Sequence, residues 1–322
     1  MKALQVEKII GPEGIRLTDV PGPEAGDNVL IDVHAAGVTF PDLLLTRGEY
    51  QYKPEPPFTP GTEVAGVVAA APDGSAFKPG DEVVAATLMG GFAEQVAIPA
   101  TLVAPLPAGL DFAAGAALVM NYHTAHFALH RRGRLLPGET VAVLGAAGGV
   151  GTASIQVAKG LGARVIAVVR RPGTDDLLRG LGADEVVASG EGWRERVKEL
   201  TAGRGVDVVV DPIGGDAFAE GLRCLAPEGR ILVIGFAGGG IPELKVNRLL
   251  LRNVSAVGVA WGALLAGELS LFAETATALV AMVSAGTVRP PVAARYPLAD
   301  GATALADLAA GKILGKAVLE VR

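Results

Sequence analysis

Apolar positions along the chain fall into two kinds of pattern. In residues 1–110 they form short alternating or apolar runs, Ala3–Val6, Val29–Ala35, Thr62–Ala70, Glu82–Ala86 and Ala93–Ile98, separated by Pro-Gly, Pro-Asp-Gly and Gly-Asp turns. Runs this short, bounded by turn formers, predict a compact β-rich domain. From Ala113 to Arg131 the spacing turns helical. Beyond it, strand-like and helix-like segments alternate: Thr140–Leu144, Gly151–Leu161, Arg164–Val169, Asp175–Leu181, Glu185–Val187, Trp193–Leu200, Val206–Val210, Phe218–Leu225 and Arg230–Ile234. Alternation of this kind predicts βαβ units and a parallel sheet covered by helices on both faces. Val254–Val259 reads as a late strand and Leu269–Ala285 as a helix, and the tail Ala293–Val321 reads as strand, amphipathic helix, turn and strand returning to the first domain. The expected division is 1–118 with 260–322 for the β-rich domain and 119–259 for the parallel-sheet domain.

Within that pattern the stretch Val141–Arg171 carries chemistry. An apolar strand runs into Gly145-Ala-Ala147-Gly148-Gly149-Val150-Gly151, a helix follows, and a second apolar strand ends at Val169 before Arg170-Arg171. A glycine triplet alone is a weak signal; between a strand and a helix it marks a dinucleotide site. Gly148 and Gly151 allow close backbone approach to a pyrophosphate, and the helix N-terminus offers free N–H groups and about half a positive charge. An NAD-binding unit would carry Asp or Glu at the end of the second strand. Here that position is Val169, followed by two arginines, which predicts a site for the 2′-phosphate of NADPH. That phosphate carries about −1.5 to −2 charges. Two charge-assisted contacts at about 1.5–3 kcal/mol each, discounted for exposure, would favour NADPH over NADH roughly 100- to 1000-fold.

Composition narrows the partners. Half of the 322 residues are apolar, 19% are charged and the net charge is −6. These values suit two packed cores and argue against a nucleic-acid or membrane-surface binder. Cys224 is the sole cysteine, which excludes an internal disulfide and a multi-thiolate metal site. No apolar leader follows Met1 and no apolar stretch reaches spanning length, so the expectation is a soluble cytoplasmic protein.

Further motifs are Gly37-Val-Thr-Phe-Pro-Asp42, Arg47-Gly-Glu-Tyr50, Pro57-Phe-Thr-Pro-Gly-Thr-Glu-Val-Ala-Gly66, Phe77–Val83, Gly90–Glu94, Leu136–Glu139, Asp207–Asp211, Gly229–Gly235 and Asn253–Gly258. Together with the glycine loop they make the chain resemble, over nearly its full length, the medium-chain dehydrogenase/reductase superfamily, in its zinc-free quinone oxidoreductase branch. The resemblance implies a GroES-like β-rich catalytic domain, a Rossmann domain with a doubly wound parallel sheet, and a cofactor in the cleft between them. Zinc-dependent relatives place Cys where this chain has Thr39, His where it has Thr62, and a third ligand near Asn121. None of the three is the thiolate or imidazole that zinc favours, so no metal is expected there. The resemblance also implies that Thr124 supports the nicotinamide, that the loop Gly235-Phe236-Ala237 faces the carboxamide, and that Ser189 lies near the adenosine phosphate. In relatives the strand after Asn253 pairs with its copy in a second subunit, which implies a homodimer.

Hydride transfer belongs to the nicotinamide, and the protein supplies orientation and exclusion of water. Tyr50, Tyr52 and Tyr122 are candidates for orienting or protonating the substrate, with cleft-wall packing an equal alternative. Thr39, a third catalytic candidate with Tyr50 and Tyr52, stands where the family commonly has Asn, and Asp42 is read as fixing the local turn. His123, His126 and His130 recur at i, i+3 and i+7. One helical face gives poor tetrahedral geometry, so they are read as partly buried helix residues, with His123 beside the nicotinamide region. His34, Asn253 and Trp261 are read as structural. The expected function is NADPH-dependent reduction of a quinone. Reduction of an enone, alkenal or enoyl thioester remains the close alternative, and non-catalytic NADPH binding a more distant one.

Overall fold

The computed structural model describes residues 1–322, which divide into two compact units: Met1–Asn121 with Glu268–Ser284 and Arg289–Arg322, and Tyr122–Gly267 with Ala285–Val288. The sequence places these crossings at 118/119 and 259/260; the units change at 121/122 and 267/268.

The first unit opens with an antiparallel pair, β1 (Lys2–Val6) and β2 (Ile15–Asp19). Strand β3 (Val29–Val38) starts with every second residue buried, as expected of a strand with one face on a core. Helix α1 (Phe40–Arg47) follows at once, capped by Thr39 and stopped by Gly48, whose φ of 68° lies in the left-handed region. Strands β4 (Glu63–Ala70), β5 (Glu82–Ala86), β6 (Gln95–Ile98) and β7 (Val103–Pro105) complete the N-terminal part, and helix α2 (Phe112–His126) leaves it.

The second unit alternates strictly. It comprises β8 (Thr140–Leu144), α3 (Gly149–Gly160), β9 (Arg164–Val169), α4 (Asp175–Gly180), β10 (Glu185–Ala188), α5 (Trp193–Leu200), β11 (Val206–Asp211), α6 (Gly215–Cys224), β12 (Leu225–Val233), α7 (Asn247–Leu250), β13 (Ser255–Gly258) and α8 (Trp261–Leu265). Its six strands are all parallel, in the order β10-β9-β8-β11-β12-β13. The order reverses between β8 and β11, which is where ligands sit in sheets of this type. Central strands covered on both faces are apolar throughout: Ala142, Leu144, Ile166, Val168, Val209 and Ile231 share one core with Phe218 and Leu222 of α6.

The chain then returns to the first unit through α9 (Ser270–Ser284), β14 (Val292–Pro297), α10 (Gly301–Ala309) and β15 (Lys316–Glu320). Strand β15 enters the sheet between β14 and β3, giving the order β14-β15-β3-β4-β5-β7, with β6 also paired to β3.

Two local expectations need correction. The helix expected over Ala113–Arg131 is α-helical only to His126; Phe127–Arg132 is π-helical, closed by the Gly133 N–H on the Ala128 carbonyl. Strand β12 begins at Leu225, five residues before the expected start at Arg230, because α6 ends at Cys224 and Leu225 already pairs with Val206.

Candidate functional site

In the second unit, parallel register brings three loops to one edge of the sheet. Leu144 of β8 pairs with Val168 of β9, and Val169 of β9 pairs with Ala188 of β10. The glycine loop, Arg170-Arg171 and Ser189 therefore follow adjacent strand ends, and the Ser189 N–H donates to the Val169 carbonyl at 2.7 Å. Gly145 takes φ 60° and Gly148 is the N-cap of α3 in extended geometry, with no side chain capping the helix. The first-turn N–H groups of α3 at Gly149, Val150 and Gly151 lack an intrahelical carbonyl. Gly151 is required by contact: a Cβ there would lie 2.3 Å from the Gly145 carbonyl oxygen and 2.7 Å from Ala146 Cα. At Gly148 a Cβ would meet only that oxygen, at 3.4 Å, so its outer side is open to a ligand. Ala147 is buried, Arg170 exposed and Arg171 half-buried. A loop that bares backbone donors beside two guanidinium groups fits a dinucleotide carrying an extra phosphate.

Two more strand ends adjoin this edge. Asp211 ends β11; its Oδ1 accepts the N–H groups of Ile213 and Gly214 at 2.9 Å each, and its Oδ2 is buried without a partner. Burial pushes this carboxyl above the usual range, against those two backbone hydrogen bonds. The motif Asp207–Asp211 was legible in the sequence, but nothing in it marked Asp211 as an orphaned acceptor. The loop after β12 carries exposed Phe236 and Ala237 and is laced to the β11 loop, with Ala237 N–H on the Pro212 carbonyl at 3.1 Å and Gly238 N–H on Ile213 at 2.9 Å.

In the first unit, the start of α1 gathers a buried polar cluster. Thr39 and Asp42 form a reciprocal capping box, the Asp42 N–H donating to Thr39 Oγ1 and the Thr39 N–H to Asp42 Oδ2 at 2.9 Å. Asp42 does more than fix the turn. Its Oδ2 also accepts the Thr39 hydroxyl at 2.5 Å, and its Oδ1 accepts the Gly61 N–H at 3.0 Å. The Thr39 and Thr62 hydroxyls lie 3.0 Å apart. Burial nevertheless pushes the Asp42 carboxyl up to about 6. Alongside, Lys316 of β15 forms an ion pair with Glu63 of β4, and Glu63 Oε2 accepts the Met120 N–H of α2 at 2.5 Å. Both ions are sealed, at 4% and 0% exposure, and a Cβ at Gly37 would overlap the Glu63 carboxyl. The sequence reading missed this pair.

The tyrosines separate. Tyr50 is half-buried, its phenol pushed up by burial and by the charge of Asp42, so it stays a neutral donor. Tyr52 is 58% exposed, and Tyr122 is buried in α2 with its hydroxyl unpartnered. Thr124 is half-buried one turn beyond Met120. The expected regular histidine face is altered by the π-helical turn, in which His130 stacks on His126 with ring centroids 5.0 Å apart. Burial, and then the charge of His130, hold His126 down at about 4. His123 packs against Trp261 and His34 against Phe112.

Residues 25–108 match the profile of the alcohol dehydrogenase GroES-like domain, and residues 149–281 that of the zinc-binding dehydrogenase domain. Quinone oxidoreductase-like protein 2 of Rattus norvegicus is 37% identical over 94% of this chain and 87% of its own length. The chain belongs to the quinone oxidoreductase branch of the medium-chain dehydrogenase/reductase superfamily. Among solved structures, a "probable oxidoreductase" of Mycobacterium abscessus is 54% identical, with TM-score 0.92 over 100% of this chain and 99% of that one. The quinone oxidoreductase of Thermus thermophilus, solved also in complex with NADPH, is 36% identical, with TM-score 0.87 over the whole of both chains. Although one matched profile is named for zinc binding, the cluster at Thr39 and Thr62 presents hydroxyls already engaged with Asp42, a donor set unlike the thiolate and imidazole of such sites. No helix is long and apolar enough to cross a membrane.

Proposed function

We propose that the chain is a zinc-independent, NADPH-dependent reductase that delivers a hydride to a quinone. The observation that carries this reading is the open N-terminus of α3 behind Gly145–Gly151, set one strand away from Arg170-Arg171. Bound NADPH would supply the hydride. The first-turn N–H groups of α3 would receive the pyrophosphate, and Arg170 and Arg171 the 2′-phosphate. Ser189, Ala147, Thr124 and the Phe236-Ala237 loop would complete the cofactor's surroundings. Tyr50 and Thr39 would orient the acceptor, Tyr50 as a neutral hydrogen-bond donor. Tyr52, far more exposed, would contribute to the approach rather than to the chemistry.

The test is NADPH oxidation against quinones, alkenals and enoyl thioesters, with fastest turnover expected on quinones. In the same assay Arg170→Ala with Arg171→Ala should raise KM for NADPH by about 100-fold and leave NADH nearly unaffected. Equal effects on both cofactors would sink the 2′-phosphate assignment.

A homodimer is part of the same proposal. Strand β13 pairs with β12 on one side only, and Leu250 and Leu251 just before it are 75% and 77% exposed. An apolar sheet edge calls for a second strand, and its own copy across a two-fold axis supplies one. Sedimentation should give twice the chain mass, and Val257→Lys on β13 should return the monomer.

A further inference from the structure

The end of β11 holds a carboxyl that is only half satisfied. Asp211 is 0% exposed. Its Oδ1 accepts the Ile213 and Gly214 N–H groups, Oδ2 has no hydrogen-bond partner, and no cation stands beside it. Strand β8 carries no ionisable side chain. Those of β11 and β12 besides Asp211 itself, Asp207, Glu228 and Arg230, lie towards the opposite edge of the sheet, where Arg230 is held by Glu139. On the neighbouring loops and α6, Asp216, Glu243 and Lys245 are exposed. A buried carboxylate without a counterion is costly, and a proton on Oδ2 removes the charge without disturbing Oδ1.

Its place gives that proton a use. Val210 pairs with Val143 of β8, so Asp211 stands level with Leu144, and the glycine loop begins at the next residue. The loop that Asp211 fixes buttresses this turn: a Cβ at Gly145 would lie 2.6 Å from Ile213 Cδ1. The same loop holds the Phe236–Gly238 segment through the Pro212 and Ile213 carbonyls. A diphosphate on the α3 N–H groups brings negative charge to these strand ends. Like charges raise the pKa of an acid, so the diphosphate and an ionised Asp211 oppose each other.

We propose that Asp211 is a positioning residue that couples cofactor binding to proton uptake, the dinucleotide favouring the form in which Oδ2 carries a proton. The coupling rests on the reading of the α3 N-terminus as the diphosphate site. One proton from water joins Oδ2 as the diphosphate docks and returns to water when the cofactor leaves. Linkage makes the effect reciprocal: the proton strengthens cofactor binding by the factor by which the cofactor strengthens proton binding. Both forms keep Oδ1 on Ile213 and Gly214, so the charge changes while the loop stays in place.

The experiment is calorimetric titration of the full chain with NADP⁺, which withstands acid, between pH 5 and 8, for wild type and Asp211→Asn. Asparagine keeps an oxygen for the two N–H groups and is neutral throughout, so it stands in for the protonated carboxyl. The 2′-phosphate titrates in the same range, but alike for both proteins, so the ratio of their dissociation constants isolates Asp211. Wild type should approach the variant at pH 5 and bind about tenfold more weakly than it at pH 8, for a pKa difference of about one unit between free and bound protein. A second measurement needs no variant. Wild type binding NAD⁺, which has the diphosphate but no 2′-phosphate, should take up protons at about pH 6, read from the heats in two buffers of different ionisation enthalpy. The same pH dependence in wild type and Asp211→Asn, or no proton uptake with NAD⁺, would overturn the coupling and leave the cofactor site standing. Binding of neither NADP⁺ nor NADPH at any pH would overturn the cofactor site and the coupling with it.

Discussion

Gly151→Ala should weaken NADPH binding about 100-fold and destabilise the second unit. The added methyl would sit 2.3 Å from the Gly145 carbonyl oxygen and 2.8 Å from the Ala146 carbonyl carbon, both backbone atoms of the turn that aims the α3 N–H groups. Neither atom can rotate away, so α3 or the loop must shift. Overpacking of this kind costs about 1–3 kcal/mol, and the upper end of that range, taken from the bound state, is about 100-fold in affinity. Gly148→Ala makes the controlled comparison. Its backbone, at φ −85° and ψ 176°, is open to any residue, and its Cβ would touch only the Gly145 oxygen at 3.4 Å. It should therefore leave the melting temperature unchanged while still obstructing the pyrophosphate. Calorimetric NADPH titration with thermal unfolding separates the two effects. An unchanged melting temperature in Gly151→Ala would refute the contact argument.

Lys316→Met should cost about 3–5 kcal/mol of stability at pH 8, since removing one partner of a buried ion pair leaves the other charge uncompensated. Burial already pushes the Glu63 carboxyl above its ordinary range, and Lys316 is the chief influence lowering it. Without the lysine its folded pKa rises further above the unfolded value. An acid shifted in that sense binds more protons folded than unfolded, so stability is greatest at low pH and falls as pH rises through the folded pKa. The deficit should therefore shrink towards pH 5. Glu63→Gln combined with Lys316→Met removes the stranded charge and should recover most of the loss. Urea unfolding of the three proteins at pH 5 and 8 tests this, and a pH-independent deficit would refute it.

The parallel-sheet unit was legible because its strands are covered on both faces. Val141–Leu144, Val165–Val169 and Val208–Val210 are unbroken apolar runs, and the glycine loop between the first two admits few alternatives. Asp42 was legible as a turn former but not as a buried carboxyl, since its burial depends on Gly61 and Thr62 folding over it. The Glu63–Lys316 pair could not be read locally at all. Its members are two of many charged residues in an acidic chain, and only the pairing of β15 with β3 and of β3 with β4 brings them together. The π-helical turn at Phe127–Arg132 escaped for another reason: its side chains keep a helical spacing, and the extra backbone residue per turn leaves no mark in apolar periodicity.

Strand β15 carries a consequence for how the molecule is made. It lies inside its sheet, between β14 and β3, yet follows every residue of the second unit in chain order. On the ribosome, the second unit emerges almost whole and can close its core while the first unit still lacks an interior strand. Until Lys316–Glu320 arrives, the Ala35–Val38 end of β3 presents an unpaired edge and Glu63 has no cation. Exposed edges are where unfinished chains aggregate, so the open end of β3 is the hazard of the nascent first unit.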